Sequence, residues 1–103
     1  MAKFALKANP TFVSTVGFPI AGGDPVKVAV TFRHRTKTQL DEFIRSREGR
    51  TDTATFLEMV AAWDLDDEFN AANVEILLEN HIGVAVAAYQ AYIEELVRAR
   101  RGN

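Results

Sequence analysis

The order of hydrophobic periods along this chain predicts an α+β fold. It consists of an N-terminal antiparallel β-hairpin or small sheet, with about four helices packed on one face of it. Three observations carry that expectation. Residues 1–35 carry period-two patterning, residues 36–103 carry helical spacing, and no linker or low-complexity stretch separates the two halves. With 103 residues, 48% hydrophobic and 25% charged, the chain has material for one core, so residues 1–103 read as a single domain.

In the first region, Phe12, Ser14, Val16 and Phe18 alternate with Val13 and Thr15, and Val26, Val28, Val30 and Phe32 alternate with Lys27, Ala29, Thr31 and Arg33. Period two puts one side of each segment inward and leaves the other wet. Between the segments lies Ala21-Gly22-Gly23-Asp24-Pro25, a dense turn signal, so 12–20 and 26–33 are expected to pair as a hairpin with a longer loop. Pro19 marks the end or edge of the first strand. Phe4 and Leu6 alternate with Lys3 and Lys7, the pattern of a short extra strand that Asn9-Pro10 would separate from the next.

The helical region opens at Thr36, with Gln39 three residues on, the spacing of a capping box. Leu40, Phe43 and Ile44 form the inner face of the first helix, and Gly49 suits the C′ position that closes it. Thr51 and Asp52 open a second helix, whose apolar face is Phe56, Leu57, Val60 and Ala61, leading to Trp63. Asn70 is a good N-cap for a third helix, with Val74, Leu77 and Leu78 inward. The last helix runs from about residue 82 to 99 with Ile82, Val86, Tyr89, Ile93 and Leu96 inward, and Tyr92 off that face. Arg98, Arg100 and Arg101 suit its negative C-terminal end.

Composition excludes several classes of function. The chain has no cysteine, so disulfides, thiolate metal sites and cysteine nucleophiles are absent, which fits a reducing cytoplasm. The start, MAKFALKANP, lacks the apolar core of a signal peptide, and the stretch from Ile82 to Tyr92 is too short to span a bilayer, so no membrane partner is expected. A net charge of −2 argues against a nucleic-acid partner, which calls for a strong basic excess. The layout of charge matters more than its sum. Residues 1–50 hold nine Lys/Arg and four Asp/Glu, whereas residues 51–97 hold ten Asp/Glu and no Lys or Arg. Such runs read either as solvated faces or as a basic end and an acidic end. The second arrangement would let copies stack head to tail.

The acidic stretch DLDDEFNAANVE, residues 64–75, places Asp64, Asp66, Glu68, Asn70 and Glu75 at the donor spacing of a calcium loop. A calcium loop also needs glycine at its sixth place, where this chain has Phe69, and a ligand or water-orienting group at its ninth, where it has Ala72. The stretch therefore reads as a linker ending in a capped helix, and no metal or cofactor is expected. Catalytic groupings are equally thin. His34 stands between Arg33 and Arg35 at a strand end, the setting of a plain surface histidine. His81 falls at a helix junction without metal-ligand spacing, Ser14 and Ser46 have no nucleophile-elbow context, and Gly22-Gly23 precedes neither a lysine at phosphate-loop spacing nor a helix. Trp63 and Phe69 flank the acids and serve either as an anchor for a partner or as a pin holding the linker to the core.

The residues resemble a known family. Thr11-Phe12 leading to Val16-Gly17-Phe18-Pro19, then Phe32-Arg33-His34-Arg35-Thr36, is similar to the N-terminal half of phage tail assembly chaperones. Trp63-Asp64-Leu65, Phe69, Asn73-Val74, Leu77-Leu78, Ile82-Gly83 and Tyr92 follow in family order, so the resemblance covers nearly the whole chain. It implies a small, non-enzymatic protein of the host bacterial cytoplasm, absent from the finished virion. Such proteins coat and solubilise the tape-measure protein of a long-tailed phage or prophage while the tail tube polymerises around it. It also implies a longer, frameshifted form that engages tail tube protein, with this chain as the short form. The interaction residues expected on this reading are a basic patch of Arg33, Arg35, Arg45 and Arg50, which would meet the acidic linker, Asp64, Asp66, Asp67 and Glu68, of the next copy. Trp63, Phe69 and the last helix are the expected client contacts. The competing reading is a virion structural protein of the head–tail connector or tail terminator type.

Overall fold

The computed structural model describes residues 2–97 of the chain. In order it contains strand β1 (Thr11–Phe18), strand β2 (Val26–Arg33), helix α1 (Lys37–Ser46), helix α2 (Asp52–Met59), strand β3 (Val60–Trp63), helix α3 (Ala71–Asn80) and helix α4 (Gly83–Val97). The strands form one antiparallel sheet in the order β1-β2-β3, so the fold is α+β with helices against a small sheet.

The hairpin follows its period-two pattern. Phe12, Ser14, Val16 and Phe18 stand opposite Phe32, Val30, Val28 and Val26, so one face of the ladder carries most of the apolar side chains. Val16, Phe18, Val28, Val30 and Phe32 are buried on that face together with Phe56, Met59, Val60, Val74, Val84, Ala88 and Tyr92 of the helical half. The ladder extends one step past β1, where the His34 N–H donates to the Pro10 carbonyl at 2.8 Å.

The helix starts are local chemistry read directly from sequence. The Thr36 hydroxyl accepts from the Gln39 N–H, and the Gln39 side chain accepts from the Thr36 N–H, completing the capping box. The Thr51 hydroxyl accepts from the Ala54 N–H, and Asn70 Oδ1 accepts from the Asn73 N–H at 2.8 Å. Gly49 has φ +82 and lies two residues past the α1 C-cap, Arg47, in a turn closed by the Arg50 N–H on the Arg47 carbonyl. That is the position where only glycine adopts a left-handed φ freely.

Four expectations need correction. The apolar run through Val60, Ala61 and Trp63 does not continue the second helix: α2 stops at Met59, and Val60 begins β3. Val60 pairs with Phe32 and Trp63 with Val30, with a register shift between. That shift is a bulge, which lets two residues three apart face the same side of a sheet. The spacing therefore imitates a helical period while belonging to a strand. Second, Phe4 and Leu6 form no strand; they are 88% and 99% exposed. Third, the inner face of α4 is Val84, Ala88 and Tyr92, whereas Ile82 is 85% exposed and Val86 is exposed. The helix is almost uniformly apolar from Val84 to Ala91, so its sequence offers little contrast to set its rotation. Packing sets it instead. Gly83 approaches the β1 end so closely that a Cβ there would lie 3.1 Å from the Pro19 Cγ. Fourth, Ile44 of α1 is exposed rather than inward. The expected placement of Arg98, Arg100 and Arg101 lies outside the described residues. Among the described residues no helix is long and apolar enough to cross a membrane.

Candidate functional site

The four arginines singled out in the sequence line one open cleft of about 740 Å³. Arg33 ends β2, Arg35 lies in the connection to α1, Arg45 sits in the last turn of α1, and Arg50 precedes α2. The connection is short and both helices are capped, so the ends of β2 and α1 and the start of α2 converge there. Glu42 and Glu58 are the acidic residues of the lining, against four arginines and His34.

The arginines are not equivalent. Arg35 is tied to the fold. Its Nη1 donates to the Glu58 carbonyl and to the Tyr92 hydroxyl, both at 2.8 Å, and its Nη2 pairs with Glu58 Oε1 at 3.0 Å. Its guanidinium carbon also lies 4.4 Å from the centre of the Phe43 ring, a cation–π distance. The side chain is only 15% exposed. Tyr92 completes the tie by donating its hydroxyl to the Arg33 carbonyl at 2.8 Å. Its ring packs on Phe12, Phe32 and Phe43. Burial raises the Tyr92 pKa above the ordinary phenol value of 10.0, and the hydrogen bond from Arg35 opposes that rise. Arg33 and Arg45 are exposed. Arg50 is intermediate: Nη2 donates to Ser46 Oγ at 3.1 Å, but Nη1 is buried with no hydrogen-bond partner among the described residues.

The acidic loop divides in the same way. Asp64 is part of the sheet: its N–H donates to the Ala29 carbonyl, and its Oδ1 accepts from the Ala29 N–H at 3.0 Å. Asp66, Asp67 and Glu68 are exposed. Their loop is held through its backbone. The Trp63 indole N–H donates to the Asp67 carbonyl at 2.8 Å, and Asn73 Nδ2 donates to the Glu68 carbonyl at 2.7 Å. Trp63 packs edge-on against both Phe56 and Phe69. Trp63 and Phe69 thus hold the loop against the core. Among the described residues no group of three or more His, Asp or Glu is placed to hold a metal ion.

The cleft and the acidic loop lie at different levels of the sheet. Asp64 sits beside Ala29, four residues back along β2 from Arg33, or about 13 Å at the usual strand rise. Beside the loop is a second hollow of about 470 Å³, lined by Trp63, Leu65, Ile76 and Leu77 with Asp67, Asn73, Asn80 and His81. Ile76 was not singled out from sequence, and Leu65 only as part of the family resemblance. Ile76 is an exposed apolar residue on a helix whose inward side chains are Val74, Leu77 and Leu78, a signal that helical phase alone could have supplied. Arg47, the remaining cation of this region, lies over the Tyr89 ring at 4.0 Å.

A family model described as phage tail assembly chaperone matches residues 1–103, the whole chain. No curated protein and no solved structure matches it.

Proposed function

The chain belongs to the phage tail assembly chaperone family, and from that premise we propose that it binds the tape-measure protein of its phage and keeps it soluble during tail assembly. It works by binding rather than by catalysis, in the host cytoplasm, and leaves before the virion is complete. A long helical client with apolar surface aggregates unless covered, and many small subunits holding weakly cover it through avidity. The hollow beside the acidic loop, walled by Trp63, Leu65, Ile76 and Leu77, is the apolar surface assigned to the client. A longer frameshifted product sharing this domain would bring in tail tube subunits.

The observation that carries the arrangement of copies is the pairing of opposites within one molecule. A cleft with exposed Arg33 and Arg45 and an unpartnered Arg50 Nη1 stands at one level of the sheet, and exposed Asp66, Asp67 and Glu68 at another. Two different surfaces complementary to each other on one subunit form a head-to-tail contact, and where its rotation does not close into a ring the copies run along an extended client. Arg35 and Asp64, both engaged within the fold, contribute position rather than contact.

Co-expression with the tape-measure gene of the same locus tests the reading. A soluble complex carrying many copies of this protein is the expected result. An insoluble client and no complex would overturn it and favour a connector or terminator, which would remain in purified particles. Reversing Asp66 and Asp67 to lysine should weaken concentration-dependent assembly of the isolated protein in sedimentation velocity. Unchanged assembly would sink the charge contact alone.

A further inference from the structure

Two features of the fold lack partners, and each has what the other needs. The first is the outer edge of β1. The sheet order leaves β1 at one side, and among the described residues no strand pairs with its free edge. β1 is eight residues long and carries no charge and no proline, none of the usual devices that block an edge. Along it runs a groove of about 490 Å³, bounded by Thr15, Val16 and Gly17 of β1 and by Ala87, Gln90, Ala91 and Glu94 of α4. Ala87, Ala91 and Gly17 leave space there for the large side chains of an added strand.

The second feature is the N-terminal arm. Residues 2–8 take no helix or strand, yet they keep the alternation of a strand, with Phe4 and Leu6 on one side and Lys3, Ala5 and Lys7 on the other. Phe4 and Leu6 project into solvent, the most exposed large apolar side chains of the fold together with Ile82. The arm carries two lysines and no acid, and the charged residue lining the groove is Glu94. A direct return of the arm onto its own β1 is disfavoured. A two-residue hairpin ending at Thr11 would put Asn9-Pro10 in its turn. Type I′ needs positive φ at both positions and type II′ needs glycine at the first; proline meets neither need, and asparagine is no substitute for the glycine.

We propose that residues 2–8 of one copy add as a strand to the free β1 edge of a second copy, with Phe4 and Leu6 seated over Ala87 and Ala91 of α4. Main-chain hydrogen bonds give such an added strand its hold, and alternate side chains in the groove give it register. The surfaces involved are disjoint from the charged cleft and acidic loop, and the contact needs no client.

The cysteine-free chain allows a direct test. Leu6→Cys and Ala91→Cys chains, one lengthened by a tag, are purified separately, mixed and oxidised. A disulfide joining the two different chains is expected at least tenfold above that from a control pairing of Leu6→Cys with Thr38→Cys on α1. A mixed disulfide no more frequent than the control would overturn the proposal. So would a double Leu6→Cys/Ala91→Cys chain that closes its disulfide within one molecule, because the arm would then occupy its own edge. As a second measurement, Phe4→Ser/Leu6→Ser should weaken self-association at least tenfold in sedimentation equilibrium, without loss of helical circular dichroism. Wild-type association by that variant would equally overturn the proposal.

Discussion

The basic cleft and the acidic loop are near mirror images in charge, yet they are built in opposite ways. In the cleft the charge itself is part of the structure. Arg35 ties β2, α2 and α4 together through Glu58 and Tyr92, with Phe43 of α1 beneath the guanidinium. In the loop the charges of Asp66, Asp67 and Glu68 stay outside, and backbone carbonyls do the holding. Asp64 is the exception, and it behaves as a sheet residue rather than a loop residue. The difference teaches that a run of like charges in a sequence overstates the charge free to meet a partner. Some of it is spent within the fold, and which part depends on packing.

That contrast can be broken experimentally at several points. The largest effect is expected for Arg35→Leu. It removes charged hydrogen bonds and a cation–π contact from a mostly covered site and should cost about 2–3 kcal/mol in urea unfolding. A loss below about 0.5 kcal/mol, the range of ordinary surface changes, would make the cleft as superficial as the loop. Asp64→Ala should cost about 1–2 kcal/mol, since the Ala29 N–H loses its acceptor. If it matches Asp66→Ala instead, the distinction inside the loop fails. The lysine reversals at Asp66 and Asp67 should each move stability by less than about 0.5 kcal/mol while changing assembly. A large loss of stability there would place those carboxylates inside the fold's own network.

A pH series sharpens the same comparison with a smaller effect. Tyr92 is protonated in the fold, and its folded pKa lies above the unfolded value of 10.0 because burial disfavours the phenolate. Its contribution is therefore fully present below pH 10 and falls as pH rises through the folded pKa, because the unfolded chain gives up its proton first. The stability advantage of the wild type over Tyr92→Phe should hold from pH 7 to 9 and shrink above pH 10. An advantage that grows above pH 10 would reverse the assignment.

What could be read from sequence was local. The caps at Thr36, Thr51 and Asn70 and the alternation of β1 and β2 involve residues within a few positions of one another, so spacing reports them directly. The four cleft arginines could be named as a basic patch, but their unequal roles could not. The partners of Arg35 lie 23 and 57 residues away, and no spacing rule reaches that far. β3 was hidden by its own bulge, which put apolar residues at helical intervals. The rotation of α4 was hidden by uniform alanine and valine, and the result was to exchange Tyr92, the centre of the aromatic cluster, for Tyr89.

The passage from α2 to β3 has no connecting residue: Val60 is at once the helix C-cap and the first residue of the strand. Adding or deleting one residue there would swing the helix by about 100° relative to the strand, or turn the strand's inward side chains outward. Both Met59 and Val60 are core residues, so neither adjustment leaves the interior intact. The tip of the hairpin loop at 20–24 carries no such constraint. Across evolution, gains and losses of length should accumulate there and leave the step between Met59 and Val60 untouched.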